Sequence, residues 1–358
     1  MAINKHWLIK KIQQGITIEN ENLSKIDLSN TQLGGAIFSE CDFSSANLSH
    51  SQLEQVNFIK CNINNANLKA SKWVDCNIIE CSLDSSDLTE VDFTDINVMQ
   101  STFIKSDFSH SQLRETNFVE SQATQINLDS CDLTFASFIQ CNLSTANIST
   151  CNLERTNFIE CELMNANFRE SRLQQTIFEK PTLENQDFSS MHLSMTQFRS
   201  AVLNGCNFTG SNLTQTAFVE AELEGCTFDQ AQISMGLFSG STLSQSSFKK
   251  CFMEQASLQE CNLNNCDFTN SHLLQAQLSA TQCIGTRFIG CELSYADLSM
   301  AICQHADFSN AALFRTNLHG LIDSGSIWSG SNKSLAIGTD EKLEKAQNWQ
   351  PTPVLTEQ

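Results

Sequence analysis

Residues 141–160 read CNLST ANIST CNLER TNFIE, four units of five in which the third place holds Leu, Ile, Leu and Phe and the first holds Cys, Ala, Cys and Thr. Carried outward in both directions, this frame puts a large apolar residue at nearly every fifth position from Leu23 to Leu318, sixty units with no slip of phase. The departures are mild: Ala123, Cys283 and Cys303 are small but apolar, and Trp73, Ile78, Val98 and Met253 are other hydrophobes. The place two residues earlier holds Ala, Cys, Ser, Thr or Val in almost every unit, and after Glu21 neither place carries a charge up to Leu318. Two places in five are therefore buried, because an unpaired charge in an apolar interior costs several kcal/mol or more.

A period of five matches neither the 3.6 of a helix nor the alternation of a strand. A coil of square section satisfies it: each unit makes one side, two residues point inward, and the chain turns a corner before the next unit. Internal repetition overrides the two or three domains that a length of 358 residues would otherwise predict. Four units close a coil, so sixty units make about fifteen coils and, at roughly 4.8 Å per coil, a rod about 70 Å long. Four large side chains per coil supply the hydrophobic term without a metal or disulfide.

Units such as ANLSH (46–50), ANLKA (66–70), CNLST (141–145) and ADLSM (296–300) resemble those of the pentapeptide-repeat proteins, and the resemblance covers residues 21–320. It implies an all-β fold, a right-handed quadrilateral β-helix with short helical caps. The expected organisation is an N-terminal helical cap at 1–20, the β-helix at 21–320, and a C-terminal cap and tail at 321–358.

Within that frame most of the notable residues read as structural. Positions 27, 47, 67, 87, 107, 127, 147, 167, 187 and 207 are all Asn or Asp, one per coil in a vertical line, where short polar side chains bond turn backbone. Asp87, Asp107 and Asp187 remain candidate contact residues through their negative potential. From Phe158 to Phe248 every tenth residue is Phe, so aromatic sides should face each other across the axis. Fourteen of the sixteen cysteines occupy the small buried place and behave as small hydrophobes. Cys41, Cys61 and Cys81, like Cys283 and Cys303, stack one per coil at separations that permit a disulfide, yet reduced thiols are expected in a long chain without export signals.

No GxGxxG, phosphate loop, CxxC, HExxH or GxSxG occurs. The seven histidines form no ligand or base pair, and exposed carboxylates on a convex rod lack the water-excluding pocket that catalysis needs. The expectation is a protein that is not an enzyme and uses no cofactor or metal.

The ends and one interior unit break the pattern. Residues 3–14, INKHWLIKKIQQ, predict a short helix with Trp7, Leu8 and Ile12 covering the first coil and Gly15 as its stop. After Leu318 the large place falls on Asp323, in a Gly- and Ser-rich segment, and TDEKLEKAQNW (339–349) predicts a short helix before the breaker PTP. Trp328 and Trp349 either cap the last coil or act as partner-binding anchors, since tryptophans are strong interface residues. Pro181 stands at a small place, followed at the next two by Gln186 and Met191, which predicts a local irregularity.

Acids outnumber bases 40 to 21, a net charge of −19, and residues 26–318 hold 33 acids and 14 bases. Such a chain repels free nucleic acid, whose binding rests on Lys and Arg. With no signal peptide and no membrane span legible, a cytoplasmic protein that contacts neither nucleic acid nor membrane is expected. Two functions follow. One is a scaffold or adaptor that binds a protein partner; the opening KIQQGITIENENLSKIDLSNTQL (11–33) resembles pentapeptide proteins associated with bacterial type VI secretion, which would make the partner a secretion component or its cargo. The other is a DNA mimic that inhibits or protects a type II topoisomerase, DNA gyrase or topoisomerase IV, as the quinolone-resistance branch does. A rod of about 70 Å would match roughly 20 base pairs.

Overall fold

A computed structural model describes residues 4–347 and residue 349. The chain climbs twenty residues per turn as a four-sided parallel β-solenoid, pairing Asn47 with Asn67 and Asn62 with Ser82, each on its own side. One side carries regular strands, ten among the described residues, running from Ile18–Glu19 to Gln197–Arg199 as one parallel sheet in chain order. Nine turns separate its first strand from its last. Elsewhere the pairing is by single-residue bridges, and these keep the register up to Asn317↔Ile337.

The corners explain why one side differs. At a typical corner the Ala46 N–H donates to the Phe43 carbonyl at 2.9 Å and Ser45 sits at φ +57°. A positive φ at the third turn residue is the signature of a type II turn. The corner after the stranded side is wider: the Cys61 N–H points instead to the Cys81 sulfur, 3.3 Å away in the next coil. The residue entering that corner is β-branched at Ile59, Ile79, Val119, Ile139 and Ile159, in keeping with an extended backbone, though strands of the same length end at Ser39, Met99, Glu179 and Arg199.

The core follows the two-in-five pattern. Phe118, Phe138, Phe158, Phe178, Phe198 and Phe218 stack with ring centroids 4.9–5.3 Å apart and planes within 8° of parallel. A second column faces it across the axis, with Phe228 edge-on to Phe218 at 6.0 Å. Such pairs add about 0.5–1.5 kcal/mol each beyond area burial. The small places do more than save space. Thr156 donates its hydroxyl to the Leu133 carbonyl at 2.8 Å, and Cys206 its thiol to the Leu183 carbonyl at 3.0 Å, each reaching one coil back. No buried side-chain nitrogen or oxygen among the described residues lacks a partner. All sixteen cysteines are buried free thiols.

The irregularity expected at Pro181 is present, and it is larger than one unit. The bridges Asn167↔Asp187 and Arg172↔His192 are missing from otherwise continuous columns among the described residues. On the stranded side the same two coils stay joined, with Ile177 paired to Gln197 and Phe178 stacked on Phe198 at 5.1 Å. The coils are thus closed on one side and parted on the opposite one.

At the start, α1 (Lys5–Gln13) is capped by the Asn4 side chain, which accepts from the Trp7 N–H at 2.8 Å, and Gly15 follows at φ +66°. Leu8 is fully buried and Ile12 packs on the core, but Trp7 lies on the solvent side, 36% exposed, with the Lys11 ammonium 5.7 Å from its ring. Leu8, one position along the helix, does the covering expected of Trp7. The start of the 11–33 stretch, from Lys11 to Gly15, is the end of this helix.

At the other end the backbone keeps its register past residue 320. Ile302 pairs with Ile322 and Asp307 with Ile327, although Asp323 holds a large place. Backbone bonding carries the coil here: the Cys303 N–H donates to the Ile322 carbonyl at 2.7 Å and the Phe308 N–H to the Ile327 carbonyl at 2.8 Å. A 3-10 turn at Lys333–Leu335 and α2 (Glu341–Gln347) follow. The PTP breaker lies outside the described residues. No helix among the described residues is long and apolar enough to cross a membrane.

Candidate functional site

The Asn and Asp column is a hydrogen-bonded ladder that also closes corners. Asn47 donates to the Asp27 carboxylate at 3.1 Å, Asn127 to Asp107 at 2.9 Å and Asn207 to Asp187 at 3.1 Å. Carboxylates of the column also accept backbone N–H groups two residues on, Thr89 at Asp87, Ser109 at Asp107 and Ser189 at Asp187, all within 3.1 Å. Each is an Asx turn, which is why short acids and amides occupy the column. Asp87 and Asp107 are neighbouring rungs, while Asp187 stands four coils further along. Ser189, through its hydroxyl and N–H, holds the Asp187 carboxyl below its ordinary value, with Arg169 and Asn207 adding to the effect against partial burial.

The two tryptophans do different things. Trp328 ends the second aromatic column, its ring 4.2 Å from that of Phe308 and within 3° of parallel. The Lys333 ammonium covers its other face at 4.0 Å and is itself tied to Asp323 at 2.6 Å. Trp349 is 71% exposed and is not brought together with Trp328 or with the aspartates.

His319 was not singled out by its sequence context, yet it anchors the tail. It is buried, its Nδ1 accepts the Asp340 N–H at 3.2 Å, and its Nε2 lies 3.0 Å from the Gln347 amide oxygen. With Nδ1 accepting, the proton sits on Nε2 and donates to Gln347. This clamp joins α2 to the last coils; the only forewarning in the sequence was a histidine one residue beyond the final large place.

Outer charge is sparsely paired. Eight ion pairs form among the described residues, and most carboxylates of the rod have no cation within 4.0 Å. One edge differs in kind. Below residue 160 it presents Glu54, Asp75, Asp95, Glu115 and Glu154 together with Arg114, Arg155 and an exposed Phe135, but from Gln174 to Tyr295 its corner pairs hold Gln, Ser, Thr, Met, Leu and Tyr with Glu254 as the single charge. Met195, Met235, Tyr295 and Phe314 on this edge are each 44–47% exposed, and Leu237 and Phe252 on the flanking sides are exposed as well.

Nothing among the described residues groups three His, Cys, Asp or Glu side chains closely enough to hold a metal ion. The thiols are all buried, and burial pushes Cys141 up to about 11 and Cys226 up to about 12, although the hydrogen bond with Cys61 holds Cys81 below its ordinary value.

Comparison with known proteins agrees with this architecture. A family profile described as pentapeptide repeat region matches residues 17–88 and 131–208, and one described as pentapeptide repeats (8 copies) matches 81–118, 106–144, 192–230, 237–275 and 291–321. Among solved structures, HetL, a pentapeptide repeat protein involved in heterocyst differentiation regulation from Nostoc sp. strain PCC 7120, is 19% identical over 94% of this chain and 98% of its own, with a TM-score of 0.20. The plasmid-mediated fluoroquinolone resistance protein QnrB1 is 24% identical over 57% of this chain and 90% of its own, with a TM-score of 0.29. Rfr23 from Cyanothece 51142 is 17% identical over 41% and 87%, with a TM-score of 0.17. No curated protein matches the chain. Period, coil geometry and the matched profiles together make this chain a member of the pentapeptide-repeat family.

Proposed function

We propose that this protein is a non-enzymatic scaffold that binds a protein partner along the side of its rod. The observation that carries the reading is the change of character of one edge, from a charged corner below residue 160 to a partly apolar strip through Met195, Met235 and Tyr295 on which Glu254 is the single charge, with Phe314 exposed one coil beyond. Exposed apolar side chains that recur along one edge, with uncharged Gln, Ser and Thr between them, are what a protein interface offers. They are not what a phosphate backbone would require of its imitation. The secretion-accessory version of this reading is supported only by the opening phrase of the sequence.

The test is capture of partners from the native cell by full-length protein and by the double variant Met195→Glu, Met235→Glu. Loss of a captured protein with the variant, whose solenoid is unchanged by circular dichroism, supports the strip; equal capture by both removes it.

A second reading, DNA mimicry toward a type II topoisomerase, draws on another corner. Glu40, Glu80, Glu120 and Glu160 recur there every second coil, roughly 10 Å apart. A supercoiling assay with micromolar protein separates the two: inhibition or drug protection favours mimicry, and neither favours the scaffold.

A further inference from the structure

Exposed aromatic rings of the solenoid and its caps are mostly covered from within the chain. The Lys11 ammonium lies 5.7 Å from the Trp7 ring, the Arg155 guanidinium 5.4 Å from the Phe135 ring, and the Lys333 ammonium 4.0 Å from the Trp328 ring. Tyr295 meets Phe314 edge to face at 5.5 Å. A cation over a ring is held by the ring's negative face, and a guanidinium can also lie flat against it. Phe135 and Arg155 make that contact on the same edge as Met195 and Met235.

Phe252 keeps one face open. It is 49% exposed, on the side flanking the part of the edge where Glu254 is the single charge. His272, one coil on, stacks on Phe252 with ring centroids 5.2 Å apart and planes 3° from parallel. Toward the preceding coils lies a shallow recess of about 320 Å³ lined by Thr214, Gln232, Ser234, Phe252 and Glu254. No cation of the chain lies over Phe252 among the described residues. Glu254 is exposed and belongs to none of the eight ion pairs formed among them.

The lining is therefore one ring face, one carboxylate, one amide and two hydroxyls, without a basic group. A carboxylate takes a bidentate pair of N–H donors, and the amide oxygen and the hydroxyls accept others. Arginine brings five donors in one plane, whereas the lysine ammonium has three and no plane to lay on the ring. A phosphate or carboxylate ligand is repelled by Glu254 and finds no cation to hold it. An apolar side chain alone would leave Glu254 desolvated without a partner, which is costly. Met235, 46% exposed and next to Ser234 in the chain, gives apolar residues beside such an arginine a surface to rest on.

We infer that the recess between Phe252 and Glu254 takes an arginine side chain of the partner protein, stacked on the ring and paired with the carboxylate, with apolar residues flanking that arginine. The inference rests on the scaffold reading and gives the partner its chemistry.

The experiment uses full-length protein with isotope-labelled methionine methyl groups, the Met235 signal reporting on the recess. The probe is acetyl-Leu-Arg-Leu-amide, with lysine or citrulline in place of arginine as controls. Titrated to about 10 mM, the arginine peptide should shift the Met235 methyl signal and bind at least about fivefold more tightly than the lysine peptide and about tenfold more tightly than the citrulline one. Glu254→Gln and Phe252→Leu, both at outward positions, should each weaken it at least about fivefold. The leucine keeps an apolar side chain and removes only the ring face. No binding of the arginine peptide, equal binding of the lysine peptide, or unchanged binding to either variant overturns the proposal. Capture from the native cell separates it from the reading beneath it. A protein lost with Met195→Glu, Met235→Glu but retained by Glu254→Gln and by Phe252→Leu keeps the strip and removes the arginine anchor. Loss with all of these variants supports both, and equal capture by all overturns both.

Discussion

Trp328 lies face to face on Phe308, with ring centroids 4.2 Å apart and planes 3° from parallel, and Lys333 closes its outer face. The aromatic column thus ends in a lid made of the largest side chain and a cation. In a solenoid each coil is stabilised mainly by its neighbours, so a lid protects the coil beneath it.

Replacing Trp328 by Ala should therefore destabilise the C-terminal coils by about 2–3 kcal/mol, the low end for a large aromatic because the ring is only half buried. Hydrogen exchange should show the loss as fraying confined to the coils after residue 290, with coils before 160 unchanged.

The sixteen thiols should be invisible to Ellman's reagent in the native state. All sixteen are buried out of the reagent's reach, and burial further raises thiols such as Cys141, to about 11, and Cys226, to about 12, whereas Cys81 is held lower by its hydrogen bond with Cys61. Labelling of all sixteen in guanidinium and of none in buffer is the expected pair of results.

Asp129 accepts hydrogen bonds from the hydroxyls of Ser149 at 2.6 Å and Thr150 at 2.9 Å. The Ser149 hydroxyl first, then those of Thr150 and Ser130, hold its carboxyl below the ordinary value against partial burial. A depressed folded-state pKa stabilises the fold fully above the unfolded value, about 3.9, and this contribution is lost as pH falls through the lower folded value. The stability gap between the wild type and Asp129→Asn should be constant from neutral pH to about 5 and should shrink below about 4. Urea titrations across that range measure it.

Corner residues give a clean backbone test. Gly225 has φ +67°, and a Cβ there would meet nothing within 4 Å. Gly225→Ala should cost about 1 kcal/mol through the left-handed conformation alone. Ala280, at φ +57° in an equivalent corner, should gain stability as Gly by up to a similar amount, offset by the freedom Gly adds to the unfolded chain. Paired urea midpoints decide the sign.

The four-sided coil followed from the family its units resemble; the repeat alone determined the period and which residues face inward, from Leu23 to Leu318. That inference is local: a charge at either of two places in five is excluded within each unit, whatever its neighbours do. Inter-coil bonding joins residues 20 to 23 apart, and there the tertiary structure decided. It set the thiol of Cys206 on the Leu183 carbonyl and gave one side, from Ile18 to Arg199, strands the other sides lack. It carried the coil past Asp323 and tied α2 to His319. Pro181 announced an irregularity in the sequence. Which bonds parted, and that the stranded side stayed closed, depended on how three oversized or donor-less residues packed against the coil below.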